Sequence, residues 1–492
     1  MHDRSGSRVR HRLRAAAAFV VAGAVVVPLA WMWWASRLPD AYSLMDTGHM
    51  DYGGGPALPM DAKVSVDDLV STASGPADLE VVLTTRTETL TLASGRKIQA
   101  FTVNGTSPGP EIRAHVGDIV EVTLHNESVT EGATIHWHGV DVPNAEDGVA
   151  GVTQDAVPMG SDFTYRFVPD RAGTFWYHSH QESSVQVSRG LFGALVILPA
   201  GPDAAVADGV DVVALTHTFG GERTINGVAA QDVVDAPAGS SARVRVINTD
   251  NETLPVWIDG ATYEIAAIDG SEIARPDPVE NRYIGVPAGG RADLTFTVPT
   301  DGAVVHIAGA SMGVGTGGAP ADAAARPATR VNLLHYGSGP PDALTLRRPD
   351  RSFDYALGRR PGFVNGRPGM WWSINGALYP RVPMFIVDRG DVVSVTFTNS
   401  SGDNHPMHLH GHRALVVSRN GGPSDGSPWW IDSLDVGPGE TYEVMFTADN
   451  TGVWMFHCHD LPHAHEGLVA HLMYAGVTSP YVHGGPNGNA PE

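Results

Sequence analysis

GDIVEVTLHN, residues Gly117 to Asn126, sets apolar residues at alternate positions between a turn glycine and an asparagine nine positions on. That alternation is the mark of a half-buried β-strand. The chain repeats the pattern twice, as GSSARVRVIN from Gly239 to Asn248 and as GDVVSVTFTN from Gly390 to Asn399. Each copy follows an Asn-Gly turn: Asn104-Gly105, Asn226-Gly227 and Asn375-Gly376. Each also precedes a strand in which a phenylalanine lies six residues before a glycine: Phe167 and Gly173, Phe296 and Gly302, Phe446 and Gly452. A recurring set of landmarks is a unit of architecture. Three β-rich copies with one internal order predict an all-β chain of three tandem Greek-key β-sandwich domains, at 77–200, 201–340 and 369–478. The Arg- and Pro-rich stretch 341–368 reads as a connector, 38–76 as a Gly-rich stalk and 479–492 as a loose tail.

The totals agree with that division, since 492 residues are enough for several ordinary domains. Fifty-four acidic against thirty-two basic residues give a net charge of -22, a field that repels phosphate backbones, so nucleic acid is not an expected partner. The single cysteine, Cys458, allows no intrachain disulfide. A lone thiol between two histidines asks for a chemical explanation.

At the N-terminus, Arg4, Arg8, Arg10, Arg12 and Arg14 precede an apolar run from Ala15 to Ala35 that ends in Trp31, Trp33 and Trp34. At about 1.5 Å per residue the run spans roughly 30 Å, a hydrocarbon core's width, with tryptophans where an interfacial belt belongs. A secretory signal also begins with basic residues, but its apolar core is shorter and ends at a small-x-small site. The reading for 1–37 is an uncleaved anchor, with a cleaved signal as the alternative. Either places the remainder outside the cytoplasm.

The three copies differ in their polar chemistry. Six residues beyond its asparagine, copy three carries His405-Pro-Met-His408-Leu-His410-Gly411, where copy two carries Leu254-Pro-Val-Trp257-Ile-Asp259-Gly260. After the phenylalanine and glycine landmarks, copy one has His178-Ser179-His180, copy three has His457-Cys458-His459, and copy two has Ile307-Ala308-Gly309. The fold therefore does not need these histidines. With His136-Trp-His138-Gly and the nearby His463, four short motifs collect ten histidines and the cysteine. Residues i and i+2 of an extended segment face one way, so each HxH pair can aim two imidazoles at one site. Two imidazoles with a thiolate are the trigonal set of an electron-transfer copper. A single HxH is more often a surface feature and a lone buried cysteine more often a small hydrophobe. Four motifs with a silent middle copy outweigh both.

In these motifs, their order and their spacing, the chain resembles the multicopper oxidase family, specifically its three-domain, laccase-like type. The resemblance implies cupredoxin-like domains and four copper ions. A type 1 copper would take His405, Cys458 and His463, with Leu468 at the axial position. A type 2 copper would take His136 and His408. One type 3 copper would take His138, His178 and His459, and the other His180, His410 and His457. It also implies one-electron oxidation of a small reductant coupled to reduction of O2 to water. Leu468 offers copper no donor where many relatives have methionine, so a high type 1 potential is implied. Asp147, in Glu146-Asp147-Gly148-Val149, resembles the family's acidic residue beside the type 2 copper, for proton delivery or for orienting a copper-bound water. Asp460 is a weaker candidate, and Leu461 stands where some relatives have a second acid. His412 and His465 lie off the ligand pattern.

No motif marks the reductant. Phenols and aromatic amines come first, and cuprous ion second, with Met45, His49, Met50 and Met60 of the stalk as possible collectors. A two-copper nitrite reductase would not need eight cluster histidines, and a non-catalytic copper carrier would need only the type 1 set. A monomer is expected. If 15–35 is an anchor, the full-length protein stays with membranes after alkaline washing and residues beyond Leu38 are open to external protease. A free protein starting near Ser36 would identify a cleaved signal instead.

Overall fold

In the computed structural model, which describes residues 4–61, 63–201, 209–227, 231–316 and 325–492, each copy becomes a sandwich of two sheets. Met1–Asp3, at the start of the 1–37 segment, lie outside the described residues. The repeated strand has the same neighbours each time. Val120–Asn126 lies between Leu79–Thr91, parallel, and Ser161–Phe167, antiparallel. Ser241–Asn248 lies likewise between Gly209–Phe219 and Arg291–Thr297, and Val392–Asn399 between Arg351–Val364 and Thr441–Thr447. The phenylalanine landmarks are in register, Phe167 opposite Val120, Phe296 opposite Ala242 and Phe446 opposite Val393.

The polar landmarks have local causes. Asn104, Asn226 and Asn375 hold φ near +53° (54, 53 and 52°), as tight hairpin turns with two left-handed residues require. Each side chain also bonds the strand beside it: Asn104 takes the Thr84 N–H and gives to the Val82 carbonyl, and Asn226 and Asn375 do the same with Leu215 and Val213, and with Ala356 and Asp354. The terminal asparagines are buried, where every polar group needs a partner. Asn126 donates to the Val129 and Val157 carbonyls, Asn248 to those of Glu252 and Val286, and Asn399 to those of Asp403 and Val436. Each asparagine thereby pins the loop that leads to a motif strand.

In the outer sandwiches the motif strands lie side by side. His136–His138 pairs with Gly173–His178, placing His136 opposite His178, and His405–Leu409 pairs with Val453–Cys458, placing His408 opposite His457. The middle sandwich also pairs the equivalent strands, Leu254–Asp259 and Ala303–Ile307, and there Trp257 stacks on His306. The first and third sandwiches dock directly: the Asn144 amide donates to the Val453 carbonyl at 2.9 Å and accepts from its N–H at 3.0 Å. A Cβ on Gly452 would meet the Asn144 side chain, which is why the landmark there is glycine.

Three sequence expectations are corrected. The connector 341–368 contains the strand Arg351–Val364, internal to the third sandwich; Phe353, Tyr355 and Leu357 alternate inward, a signal masked by the Arg and Pro that follow. The stalk 38–76 is packed: His49–Asp51 extends a sheet of the third sandwich beside Pro383–Val387, and Leu44 and Val66 are buried. The tail 479–492 is held as well. His483–Gly484 pairs with Ala41–Tyr42, and buried Asn489 accepts from the Ala156 N–H and donates to Asp155 and the Val482 carbonyl. Scattered apolar and amide residues did this without periodicity.

The helix Arg4–Ala35 has a portion, Arg10–Ala35, long and apolar enough to cross a membrane, with no part of it buried against the protein. Its end meets the hairpin of Arg351–Val364 and Arg367–Ile374, where the Leu38 N–H bonds the Asn365 side chain and the Gly366 N–H bonds Ser36.

Candidate metal centres

Val453–Cys458 ends by delivering the cysteine into a pocket closed by His405 and His463. The Cys458 sulfur lies 3.6 Å from His405 Nδ1 and 3.8 Å from His463 Nδ1. Bonds of about 2.0–2.3 Å to one metal at trigonal angles put ligand atoms roughly 3.5–4 Å apart, so this set fits a copper ion. Leu468 is buried here, and its backbone holds two of the three: its carbonyl accepts from the Cys458 N–H and its N–H donates to the His463 carbonyl. The Trp372 ring packs on both imidazoles, with centroids 4.3 Å from His463 and 4.9 Å from His405, and Arg359 lies over that tryptophan. Burial pushes the Cys458 thiol well above its usual range, so a thiolate there needs a cation. Burial and the neighbouring His463 lower His405 to about 3, leaving it a neutral donor.

Eight further histidines form one buried box between the first and third sandwiches: His136, His138, His178 and His180 face His408, His410, His457 and His459. Two of the sets inferred from the motifs bring their nitrogens together. His180, His410 and His457 bring nitrogens within 4.8 Å of one another, and His136 and His408 do so together with His410. The rings of His138, His178 and His459 have centroids 4.8 to 5.8 Å apart. Most of these rings are tethered through Nδ1. His136 donates to the Asp147 carbonyl, His178 to that of Ser179, His180 to that of Pro491, His408 to that of Asp432 and His457 to that of Cys458, while His410 donates to the Asp147 carboxylate at 3.0 Å. With the proton on Nδ1, the Nε2 lone pair is free. The Nε2 atoms of His136, His138, His178, His180, His408 and His459 are buried with no partner among the described residues. Burial lowers His138, His178, His180, His408, His410 and His459 far below the usual imidazole range, helped by neighbouring rings, and lowers His457 to about 3. Neutral rings with converging orphan lone pairs fit metal ions.

Asp147 is buried behind the box, its carboxylate 3.0 Å from His410 Nδ1 and 3.1 Å from His136 Nδ1. Its neighbour Glu146, bonded by the Arg166 N–H, is raised by burial to about 7. Asp460 is not turned to the cluster: its carboxylate lies 3.4 Å from His463 Nε2, at the cysteine site. Leu461 packs in an apolar cluster with Trp176 and Phe192. An acid arrives from elsewhere, since the Glu492 carboxylate lies 3.6 Å from His457 Nδ1, with burial raising it well above the usual carboxylate range. No spacing rule could have found Glu492, nor Asp432 and Arg291, which stand behind His138. His412 is buried and bonds the Tyr474 hydroxyl, and exposed His465 bonds the Glu492 carbonyl, so both lie outside the box. The stalk donors are divided: Met50 is exposed and Met45 and Met60 pack on the core, while His49 joins no cluster of potential ligands among the described residues.

Comparison with known proteins agrees with this chemistry. Models described as Multicopper oxidase match residues 84–201 and 349–476, together half of the chain. The chain is 28% identical to Laccase-1 of Botryotinia fuckeliana over 455 residues, covering 77% of this chain and 79% of that protein. It is 28% identical to Multicopper oxidase MmcO of Mycobacterium tuberculosis over 451 residues, covering 77% and 84%. Among solved structures, a multi-copper oxidase from Pseudomonas thermotolerans superposes with a TM-score of 0.66 at 29% identity, covering 81% of this chain and all of that one.

Replacing Cys458 with serine should abolish the intense visible band of the copper-loaded protein while cluster copper stays bound, read by absorption and metal analysis. A variant that stayed blue would show that the band does not come from a copper thiolate.

Proposed function

The chain belongs to the multicopper oxidase family, and we propose that it oxidises small phenol-like reductants at a type 1 site of His405, Cys458 and His463, passing electrons to a trinuclear site of the eight boxed histidines. It is a copper-dependent oxidoreductase with O2 as acceptor, and its cofactor is four copper ions per chain. Those ions supply one-electron acceptance at the first site and, at the second, reduction of O2 to two waters with four electrons and four protons. The single observation that carries the reading is the convergence of buried imidazole nitrogens, many of them without partners among the described residues, next to the only thiol. In this reading the first and third domains divide the cluster ligands, the middle domain holds none, and one chain suffices.

The protein's own groups have separable tasks. Cys458 is covalently flanked by His457 and His459, so its sulfur has a short through-bond route to rings on both type 3 positions. His463, with 18% of its side chain exposed, offers the edge at which a donor can approach. Asp403, Asp460 and Glu466 act on that imidazole together with Arg359, which is paired to Asp403, and the acidic excess disfavours anionic donors relative to phenols, aromatic amines or Cu(I). Asp147 accepts from His136 Nδ1 at its backbone carbonyl and from His410 Nδ1 at its carboxylate, and we assign that carboxylate to proton delivery during O2 reduction or to orienting a copper-bound water. The helix near the N-terminus supports an anchored protein outside the cytoplasm.

Oxygen uptake by copper-loaded protein, first with a phenol and then with Cu(I), tests the function. Uptake with a phenol at about four coppers per chain is expected; uptake with Cu(I) alone would make the protein a metal oxidase, and no uptake with either would sink the proposal. Asp147→Asn should leave anaerobic bleaching of the blue band by the phenol unchanged and slow reoxidation by O2 roughly 10- to 100-fold. Stopped-flow measurement of both half-reactions checks this, and slowed bleaching with normal reoxidation would refute the role given to Asp147.

A further inference from the structure

The middle domain supplies no cluster imidazole, yet it walls the cluster. Gly289 sits at φ +74°, and a Cβ there would lie 2.8 Å from His138 Nε2 and 2.8 Å from His459 Cδ2. Its carbonyl accepts from the Trp176 indole at 3.1 Å and from Arg291 at 3.2 Å, and Trp176 stacks on His178 and His138. Two residues on, fully buried Arg291 forks both Nη atoms onto the two carboxylate oxygens of Asp432, each at 2.5 Å, and its Nε donates to the Thr174 carbonyl of the first domain. Asp269 of the middle domain takes the backbone N–H groups of Asp432 and Ser433. Three domains thus meet at one carboxylate.

That carboxylate stands directly behind two candidate ligands. The Asp432 carbonyl accepts from His408 Nδ1 at 2.8 Å, and Asp432 Oδ1 lies 3.5 Å from His138 Nδ1. Arg291 Nη1 is 3.3 Å from the same His138 nitrogen. Although Asp432 forms a possible ligand trio with His138 and His408, both its oxygens are taken by the guanidinium, which leaves it an orienting anion rather than a ligand. Burying such an ionic fork is expensive and seldom the best route to stability. Its position against ligand nitrogens is what it secures.

We propose that Gly289 and Arg291 are positioning residues of the trinuclear site, through which the ligand-free middle domain sets the orientation of His138 and His408 and keeps room for His138 and His459. The proposal rests on the multicopper reading above. Its test uses the full-length copper-loaded protein carrying Arg291→Lys, which keeps the charge but cannot span both Asp432 oxygens, and separately Gly289→Ala, which keeps every charge. Copper per chain after dialysis against a chelator, the blue absorption and the type 2 electron paramagnetic resonance signal are read on each. Both variants should keep the blue absorption, hold cluster copper about 10- to 100-fold more weakly, and show an altered type 2 signal. Unchanged cluster copper and type 2 signal in both variants would overturn the proposal. So would loss of the blue absorption in step with the cluster, which would make the residues merely structural. If Arg291→Lys does not fold, Gly289→Ala decides. Wild-type protein that never holds more than one copper would instead overturn the multicopper reading, whatever the variants do.

Discussion

The Nε2 atoms of His410 and His457 lie 3.1 Å apart, while both rings are committed through Nδ1 to oxygen acceptors, Asp147 for one and the Cys458 carbonyl for the other. Each ring therefore turns a bare lone pair toward the other, and burial opposes the protonation that would relieve the repulsion. Only a cation between them makes the arrangement favourable. The same tension runs round the other boxed rings, six of whose Nε2 atoms are buried without a partner among the described residues. A metal site that forms part of the folding free energy in this way couples stability to copper.

The cysteine site is wired with the opposite polarity. His405 and His463 turn Nδ1 toward the sulfur, and their Nε2 atoms point outward, to the Ser401 hydroxyl and toward the Asp460 carboxylate. Six of the boxed rings instead commit Nδ1 to an oxygen acceptor and leave Nε2 for the box. This reversal lets residues of one strand and its following helix serve both centres: Cys458 faces one way along Val453–Cys458, and the histidines on either side face the other. An extended backbone alternates its side chains between faces, so the tripeptide His457-Cys458-His459 can touch two sites at once.

What encloses the cluster comes from far along the chain. The Pro491 carbonyl fixes the tautomer of His180, Glu492 stands beside His457, and Gly289 and Arg291 close the side of His138. The middle domain has kept the topology of its neighbours, with Leu254–Asp259 still beside Ala303–Ile307, while filling its own ligand positions with Trp257 and Ile307. Freed from ligation, it serves as a wall.

The sequence by itself determined the three-copy architecture, because alternating strands, Asn-Gly turns and terminal asparagines answer to short-range geometry that recurs wherever the pattern does. It also singled out the ten histidines and one cysteine that the fold gathers at two buried places, since i and i+2 spacing on an extended strand is a local fact. Asp147 was legible from its neighbours in the same way, though not that it sits behind His136 and His410. Only the tertiary structure decided that 341–368 holds an internal strand, that 38–76 and 479–492 wrap the body, and that Asp460 belongs to the cysteine site rather than the cluster. Asp432 and Arg291, 141 positions apart, show why: a buried ion pair is made by where two domains pack, and nothing in the residues around either partner records the other.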